Sequence, residues 1–257
     1  MTDHVRVTLE AGVLTLTLAR PEKKNALTNA MYDVLVREMN RAEDDPTVRV
    51  LLFQGDGDVF TAGNDIGDFA AAASGAAAGR ELGASPFLGA LAKATKPYVA
   101  AVQGRAVGVG TTMLLHCDVV IVAEDAQLTT PFVNLALVPE AASSWLLPAR
   151  IGHARAFAMF ALGEAMDGKT AAAIGLATAA VPASEVRARA MQIARALAAK
   201  PIGALQATKR LMRDAEAIMA VMQREGEEFR KRLKSPEAME AFRAFTERRP
   251  PDFSKVA

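Results

Sequence analysis

The sequence predicts an α/β fold with a helical C-terminal region. Short strand-like apolar runs alternate with helix-patterned stretches as far as about residue 130, and beyond residue 139 the pattern is almost entirely helical. Half of the residues are hydrophobic, only 5% are aromatic and Ala is used heavily. The alternation argues for α/β layers, and the composition suits packed helices better than a sandwich.

Residues 5–9 (VRVTL) and 13–18 (VLTLTL) alternate with the period of strands, with Ala11-Gly12 as the turn between them. Thr28 opens an amphipathic helix to about residue 42, with Met31, Leu35 and Met39 on one face. A buried strand over 48–53 (VRVLLF) leads into the turn-rich GDGD. Two Ala-rich helical stretches flank the Ser74-Gly75 interruption, and the stretch 70–84 carries little patterning. Residues 98–103 and 118–123 read as further buried strands, separated by a Gly-rich turn and a short helix. Pro201, Pro236 and Pro250 punctuate the helical remainder.

The 257 residues suffice for one large core with a helical appendage, and neither an internal repeat nor a dividing linker is visible. With 30 basic and 29 acidic residues, the net charge of +1 gives no nucleic-acid or membrane preference. The 15 basic residues between 187 and 249, against 8 acidic ones, read as a solvated helical surface. The single cysteine, Cys117, excludes an internal disulfide and suits a reducing compartment. No apolar run reaches the roughly 18 residues that a bilayer span needs. A strand pattern follows Met1 almost at once, leaving no room for a cleavable signal, so a cytoplasmic protein is expected.

Metal and nucleophile chemistries find no support. His4, His116 and His153 lie far apart without a ligand-like spacing of acids or Cys, and no G-x-S-x-G is present. Cys117 reads as a core residue. The segment 104–110 (GRAVGVG) lacks the full G-x-G-x-x-G of a dinucleotide site.

Two loops of one physical type remain, 60–66 (FTAGNDI) and 104–112 (GRAVGVGTT), each leaving a strand and entering a helix. Glycine there lets backbone approach a ligand and aims free helix-start N–H groups at it. Two such amides converging on one point would form an oxyanion hole. Ordinary strand-to-helix turns, with Asn64 or Asp65 as N-cap, fit the spacing as well. In the segment 131–147 (PFVNLALVPEAASSWLL), Pro139 suits a first helical position, with Glu140 a first-turn acid. Its apolar and small neighbours equally suit a carboxylate of raised pKa that acts as a base near neutrality.

The stretches 20–28 (RPEKKNALT), 60–69 (FTAGNDIGDF), 97–118 (PYVAAVQGRAVGVGTTMLLHCD), 131–152 and 241–253 (AFRAFTERRPPDF) together resemble the crotonase (enoyl-CoA hydratase/isomerase) family over essentially the whole chain. The resemblance implies a spiral of ββα turns over 1–195 and a helical region over 196–257 that builds a homotrimer or a dimer of trimers, one continuous catalytic unit. It implies an acyl-CoA thioester as ligand, with no cofactor besides that coenzyme A moiety and no metal. The Asn64 and Val109 amides would hold the thioester enolate. The CoA moiety would pass Lys24, Ala26, Ala62, Asp65 and Ile66, with Phe245 and Arg248 reaching in, often from a neighbouring subunit. Thr112, Phe132, Trp145 and the stretch 70–84 would border the acyl group.

Hydratases of this family place two glutamates where this sequence has Thr112 and Phe132, and its acid stands instead at Glu140. That arrangement resembles the peroxisomal-type Δ3-Δ2-enoyl-CoA isomerases. It implies an isomerase in which Glu140 shuttles one proton, with a hydratase or another crotonase-type activity as one alternative and a non-catalytic acyl-CoA-binding protein as another.

Overall fold

The computed structural model describes residues 2–65, 67–68 and 84–256, the side chain of Lys255 excepted. Strands β1 (Val5–Glu10) and β2 (Val13–Leu18) form an antiparallel hairpin. Strands β3 (Val50–Gly55), β4 (Tyr98–Val102), β6 (Val119–Ala123) and β9 (Ala179–Val181) then add in parallel, giving the order β1-β2-β3-β4-β6-β9. A second sheet, β5-β7-β8, joins Arg105–Val107, Gln127–Thr129 and Met166–Asp167. The apolar runs of β3 and β4 are buried almost throughout, as parallel strands covered on both faces require.

Helix α1 (Asn29–Asp44) starts where predicted: the Thr28 side chain accepts the Met31 N–H at 3.3 Å, and Met31, Tyr32, Leu35 and Met39 are buried. Helix α2 (Ala84–Lys93) packs on α1. The short α3 (Val109–Thr112) follows β5. Helices α4 (Ser143–Ile151) and α5 (His153–Phe157) come next, then α6 (Gly168–Ala173) between β8 and β9. Helix α7 (Val186–Ala198), which spans position 195, lays Val186, Ala190, Ala194 and Ala198 on β3, β4 and β6, the alanines allowing close approach. Helices α8 (Ile202–Met212), α9 (Ala215–Leu233) and α10 (Pro236–Thr246) complete the C-terminal region.

Three expectations are corrected. The chain beyond residue 139 is not wholly helical, because β8 and β9 extend the two sheets. The C-terminal basic run is not only a solvated surface. Lys209 is buried, pairs with Asp118 at 2.8 Å and stands 4.6 Å from the Tyr98 ring centre, while Arg213 reaches inward to the His116 ring. Buried cations of this kind persist because each has a carboxylate, carbonyl or ring partner. Finally, Glu140 lies outside any helix: Ala141 and Ala142 take left-handed φ values of 63° and 54°, and α4 begins only at Ser143. No helix among the described residues is long and apolar enough to cross a membrane.

Candidate active site

The first of the predicted loops is built on one hub, Asn25, whose side chain is fully buried. Its amide nitrogen donates to the carbonyls of Asp56 (2.8 Å), Val59 (2.8 Å) and Phe60 (3.2 Å), and its oxygen accepts the Arg20 N–H at 2.9 Å. This fixes segment 20–27 against segment 55–65. The Ala62 N–H donates to the Lys24 carbonyl, the Leu27 N–H to that of Gly63, and the Asp65 N–H to that of Leu27. The Arg20 guanidinium ties the Ala26 carbonyl (3.1 Å) to the Asp65 carboxylate (2.7 Å). Lys24, Ala26, Ala62 and Asp65 are thus brought onto one rim, with the exposed Lys24 ammonium 3.1 Å from Asp58. Ile66 and the stretch 70–83 lie outside the described residues.

The first glycine loop is laid beside the second. Thr61 bridges Ala106 in parallel: its N–H donates to Arg105 (3.1 Å), and its carbonyl accepts from Val107 (3.1 Å). Two glycines permit this contact. A Cβ on Gly63, whose φ is +87°, would stand 2.7 Å from the Val107 carbonyl oxygen, and one on Gly110 would stand 2.4 Å from Thr61 Cγ2. Asn64 and Val109 consequently sit on adjoining turns. Val109 is the first residue of α3, a position whose N–H has no intrahelical acceptor, and neither its amide nor that of Asn64 donates a backbone hydrogen bond among the described residues.

Glu140 faces both turns through one intermediary each. The hydroxyl of Thr112, on the helix of Val109, is 3.4 Å from Glu140 Oε1. The hydroxyl of Tyr32 donates to Asn64 Oδ1 at 2.5 Å and lies within electrostatic reach of the Glu140 carboxylate. Burial first, and the nearby Glu225 carboxylate second, push the Glu140 carboxyl up to about 7, against the opposing pull of the Thr112 hydrogen bond. Burial, and then Glu140, push the Tyr32 phenol well above its ordinary value, so it remains a donor.

The turn that carries Glu140 is held from both sides. Glu225, a buried residue of α9, accepts the N–H groups of Ala142 (2.6 Å) and Ser144 (2.9 Å). The Ala141 carbonyl accepts from His116 Nε2 at 2.8 Å. Burial and the adjacent Arg213 push the His116 imidazole down to about 3, so it is neutral. A guanidinium can only donate, so Nδ1 is the acceptor toward Arg213 and Nε2 carries the hydrogen.

Phe132 is buried against Phe160, with ring centres 6.1 Å apart. Trp145 lies beyond the Glu140 turn on α4, and 46% of its surface is exposed. Phe245 and Arg248 are exposed in the subunit, at the end of α10 and just after it, with the Arg248 N–H donated to the Phe245 carbonyl. Cys117 is buried, and burial pushes its thiol up to about 12, so it is a core residue as expected. No group of metal-ligating side chains assembles among the described residues.

Arg20, Tyr32 and Glu225 were not singled out by sequence reasoning, and His116 was weighed only as a metal ligand. A signal existed for Glu225: on α9 it continues the apolar series Ile218, Met222, Phe229 at helical spacing, which makes it an acid on a buried face.

The family profile described as "Enoyl-CoA hydratase/isomerase" matches residues 8–256. The 1,2-epoxyphenylacetyl-CoA isomerase of Escherichia coli is 34% identical over 99% of both chains. Enoyl-CoA delta isomerase 2 of Rattus norvegicus is 34% identical over 96% of this chain and 64% of its own length. An enoyl-CoA hydratase/isomerase crystal structure from Pseudoalteromonas atlantica superposes with a TM-score of 0.92 at 39% identity, covering 98% of this chain and all of that one. Names among the relatives divide between isomerases and hydratases.

Proposed function

The chain belongs to the enoyl-CoA hydratase/isomerase family, and within it we propose that it is an enoyl-CoA isomerase, which moves the double bond of an acyl-CoA from the 3- to the 2-position. One observation carries the proposal. A buried carboxylate poised near neutrality, Glu140, faces the Asn64 and Val109 turns, while Thr112 and Phe132 occupy the positions where a second acid–base group would be needed.

In this reading Glu140 takes a proton from C2 of a 3-enoyl-CoA. The electron pair of that C–H bond moves into the thioester carbonyl, giving a dienolate whose oxygen accepts from the Asn64 and Val109 N–H groups. Removal of one such donor typically costs about 10²–10³ in rate. As the carbonyl reforms, a C2=C3 double bond replaces C3=C4, and Glu140 returns the proton to C4. The same proton leaves and comes back, so one carboxylate suffices and no water is activated. The coenzyme A portion runs along the rim of Lys24, Ala26, Ala62 and Asp65. Phe245 and Arg248 complete it from a neighbouring subunit of a trimer or a dimer of trimers, and no cofactor besides this coenzyme A is required.

The test is exchange and isomerisation in deuterated water. A 3-enoyl-CoA should isomerise, and a saturated acyl-CoA should exchange its α-protons in the presence of the enzyme. Binding without exchange would make the protein a non-catalytic acyl-CoA binder. Rapid hydration of a 2-enoyl-CoA without isomerisation would make it a hydratase. Either result overturns the reading.

A further inference from the structure

Helix α4 has no local cap. Its N-cap residue, Ala142, has no side-chain acceptor and sits in the left-handed region, as does Ala141 before it. Two consecutive left-handed non-glycine residues are costly and persist only where the surroundings hold them. What holds them here comes from far along the chain. The two carboxylate oxygens of Glu225 each take one amide of this turn, Ala142 at 2.6 Å and Ser144 at 2.9 Å, across more than 80 residues. Glu225 is buried and forms no ion pair among the described residues, an expensive place for a carboxylate that did nothing but cap a helix. It stands close enough to Glu140 for the two carboxylates to interact.

We propose that Glu225 is a positioning residue for Glu140: its carboxylate fixes the Ala141–Ser144 turn, and with it the direction of the Glu140 carboxylate, and places a second negative charge beside it. The inference rests on the reading of Glu140 as the base. Its distance from the substrate loops in sequence explains why no motif reports it. The groups that face Glu140 are Glu225 from α9, Tyr32 from α1 and Thr112 from α3. Glu225 is faced in addition by Arg224 of its own helix and by the Ser144 hydroxyl. Of these, Glu225 is the carboxylate whose removal lessens repulsion at Glu140.

The experiment compares wild type, Glu140→Gln, Glu225→Gln and Glu225→Asp on a 3-enoyl-CoA as a function of pH. Glutamine keeps the shape but removes the charge, and its amide N–H₂ confronts one of the two backbone N–H groups. Glu225→Gln should lower kcat about 10- to 100-fold with KM little changed, and should move the acid limb of the profile toward lower pH by about one unit. Glu225→Asp keeps the charge but draws the oxygens back, so kcat should fall while the limb stays in place. A Glu225→Gln enzyme with wild-type kcat and limb, altered only in thermal stability, would reduce Glu225 to a structural cap and overturn the proposal. If that variant does not fold, ¹³C-carboxyl NMR titration of the wild type decides: two coupled carboxyl titrations support the pairing, and a Glu140 carboxyl that titrates alone in the ordinary range overturns it. Wild-type turnover by Glu140→Gln would instead refute the base itself, whatever Glu225 does.

Discussion

The Tyr32 hydroxyl donates to the Asn64 side-chain oxygen at 2.5 Å, which ties helix α1 to the turn that presents the Asn64 amide. Tyr32 is buried beside Phe87, ring centres 5.4 Å apart, so its ring is held by packing and only its hydroxyl is committed to the site. Tyr32→Phe keeps the packing and deletes the bond. A neutral hydrogen bond contributes about 0.5–1.5 kcal/mol net, and loss of that much at the Asn64 turn should lower kcat about 3- to 10-fold with little change in thermal stability. Steady-state kinetics with a melting curve checks this. A melting temperature that falls while kcat holds would return Tyr32 to the core.

In the proposed mechanism Glu140 sets the pH dependence. Its folded-state pKa, pushed up to about 7, lies above the ordinary 4.5. The base works only when ionised, so kcat/KM should rise with pH up to about 7 and level off above it. For stability the sign runs the other way. Between pH 4.5 and 7 the folded state binds more protons than the unfolded one, so stability falls as pH rises through this window, by at most about 3 kcal/mol. Glu140→Gln removes that penalty along with the base. It should lose about 10²–10⁴ in turnover and melt at a higher temperature than wild type at pH 8. A Glu140→Gln enzyme with wild-type turnover would return Glu140 to a structural role.

How far the sequence speaks depends on the range of the interaction. The period-2 and helical patterns located β1, β2, β3, β4, β6 and α1 because each is a local consequence of one buried face. The strands β5, β7 and β8 are two or three residues long, too short to show a period. The glycine loops were legible as a type, but the Thr61–Ala106 bridge that juxtaposes them was not. Pro139 looked like a helix start, yet the left-handed Ala141 and Ala142 delay α4 to Ser143, stabilised by Glu225 and His116 from elsewhere in the chain. The spacing of α9 marks Glu225 as an acid on a buried face, but nothing local shows which turn it holds.

The convergence of the two loops has a direct steric test. In Gly110→Ala the new methyl would lie 2.4 Å from Thr61 Cγ2. Thr61 cannot readily turn aside, since its hydroxyl donates to the Asn25 carbonyl at 2.7 Å and accepts the Gly63 N–H at 3.1 Å. The loops must part, at a stability cost of about 1–3 kcal/mol, and the Asn64 and Val109 amides separate with them. Turnover should fall about 10²–10³, as for a lost donor. A folded Gly110→Ala protein with normal turnover would show that the two amides do not act together.

The apolar surface makes a prediction about assembly. Among the apolar residues of α9 and α10, Phe229 and Phe242 are buried within the subunit, whereas Met239 and Phe245 are about half exposed. Leu211 and Met212 at the end of α8 are 89% and 82% exposed, and Phe157 and Leu162 are also open. A closed symmetric oligomer would cover these side chains. Sedimentation should give a trimer or a dimer of trimers at micromolar concentration. A stable monomer would remove the cross-subunit role of Phe245 and Arg248.

Hydration of a 2-enoyl-CoA needs one group to activate water and another to supply the α-proton. Glu140 can fill one of these roles, but Thr112 and Phe132 cannot fill the other near neutral pH. The Thr112 hydroxyl is directed to Val109 and Glu140, and Phe132 is packed on Phe160. Asp68, the nearest acid in sequence to the first glycine loop after Asp65, is engaged elsewhere: its carboxylate accepts the Asn29 N–H at 2.9 Å, at the start of α1. Asp65 itself is paired with Arg20 at 2.7 Å. A missing acid–base group costs about 10²–10⁴ in rate, so hydration of crotonyl-CoA should run at least several hundred-fold slower than isomerisation of a 3-enoyl-CoA by the same preparation. Replacing Phe132 by Glu should then raise hydration without raising isomerisation, because it supplies the lacking group at the loss of only the Phe160 ring contact. Comparable hydration and isomerisation rates in the unmodified enzyme would mean that a second acid reaches the substrate, and the single-carboxylate mechanism would fail.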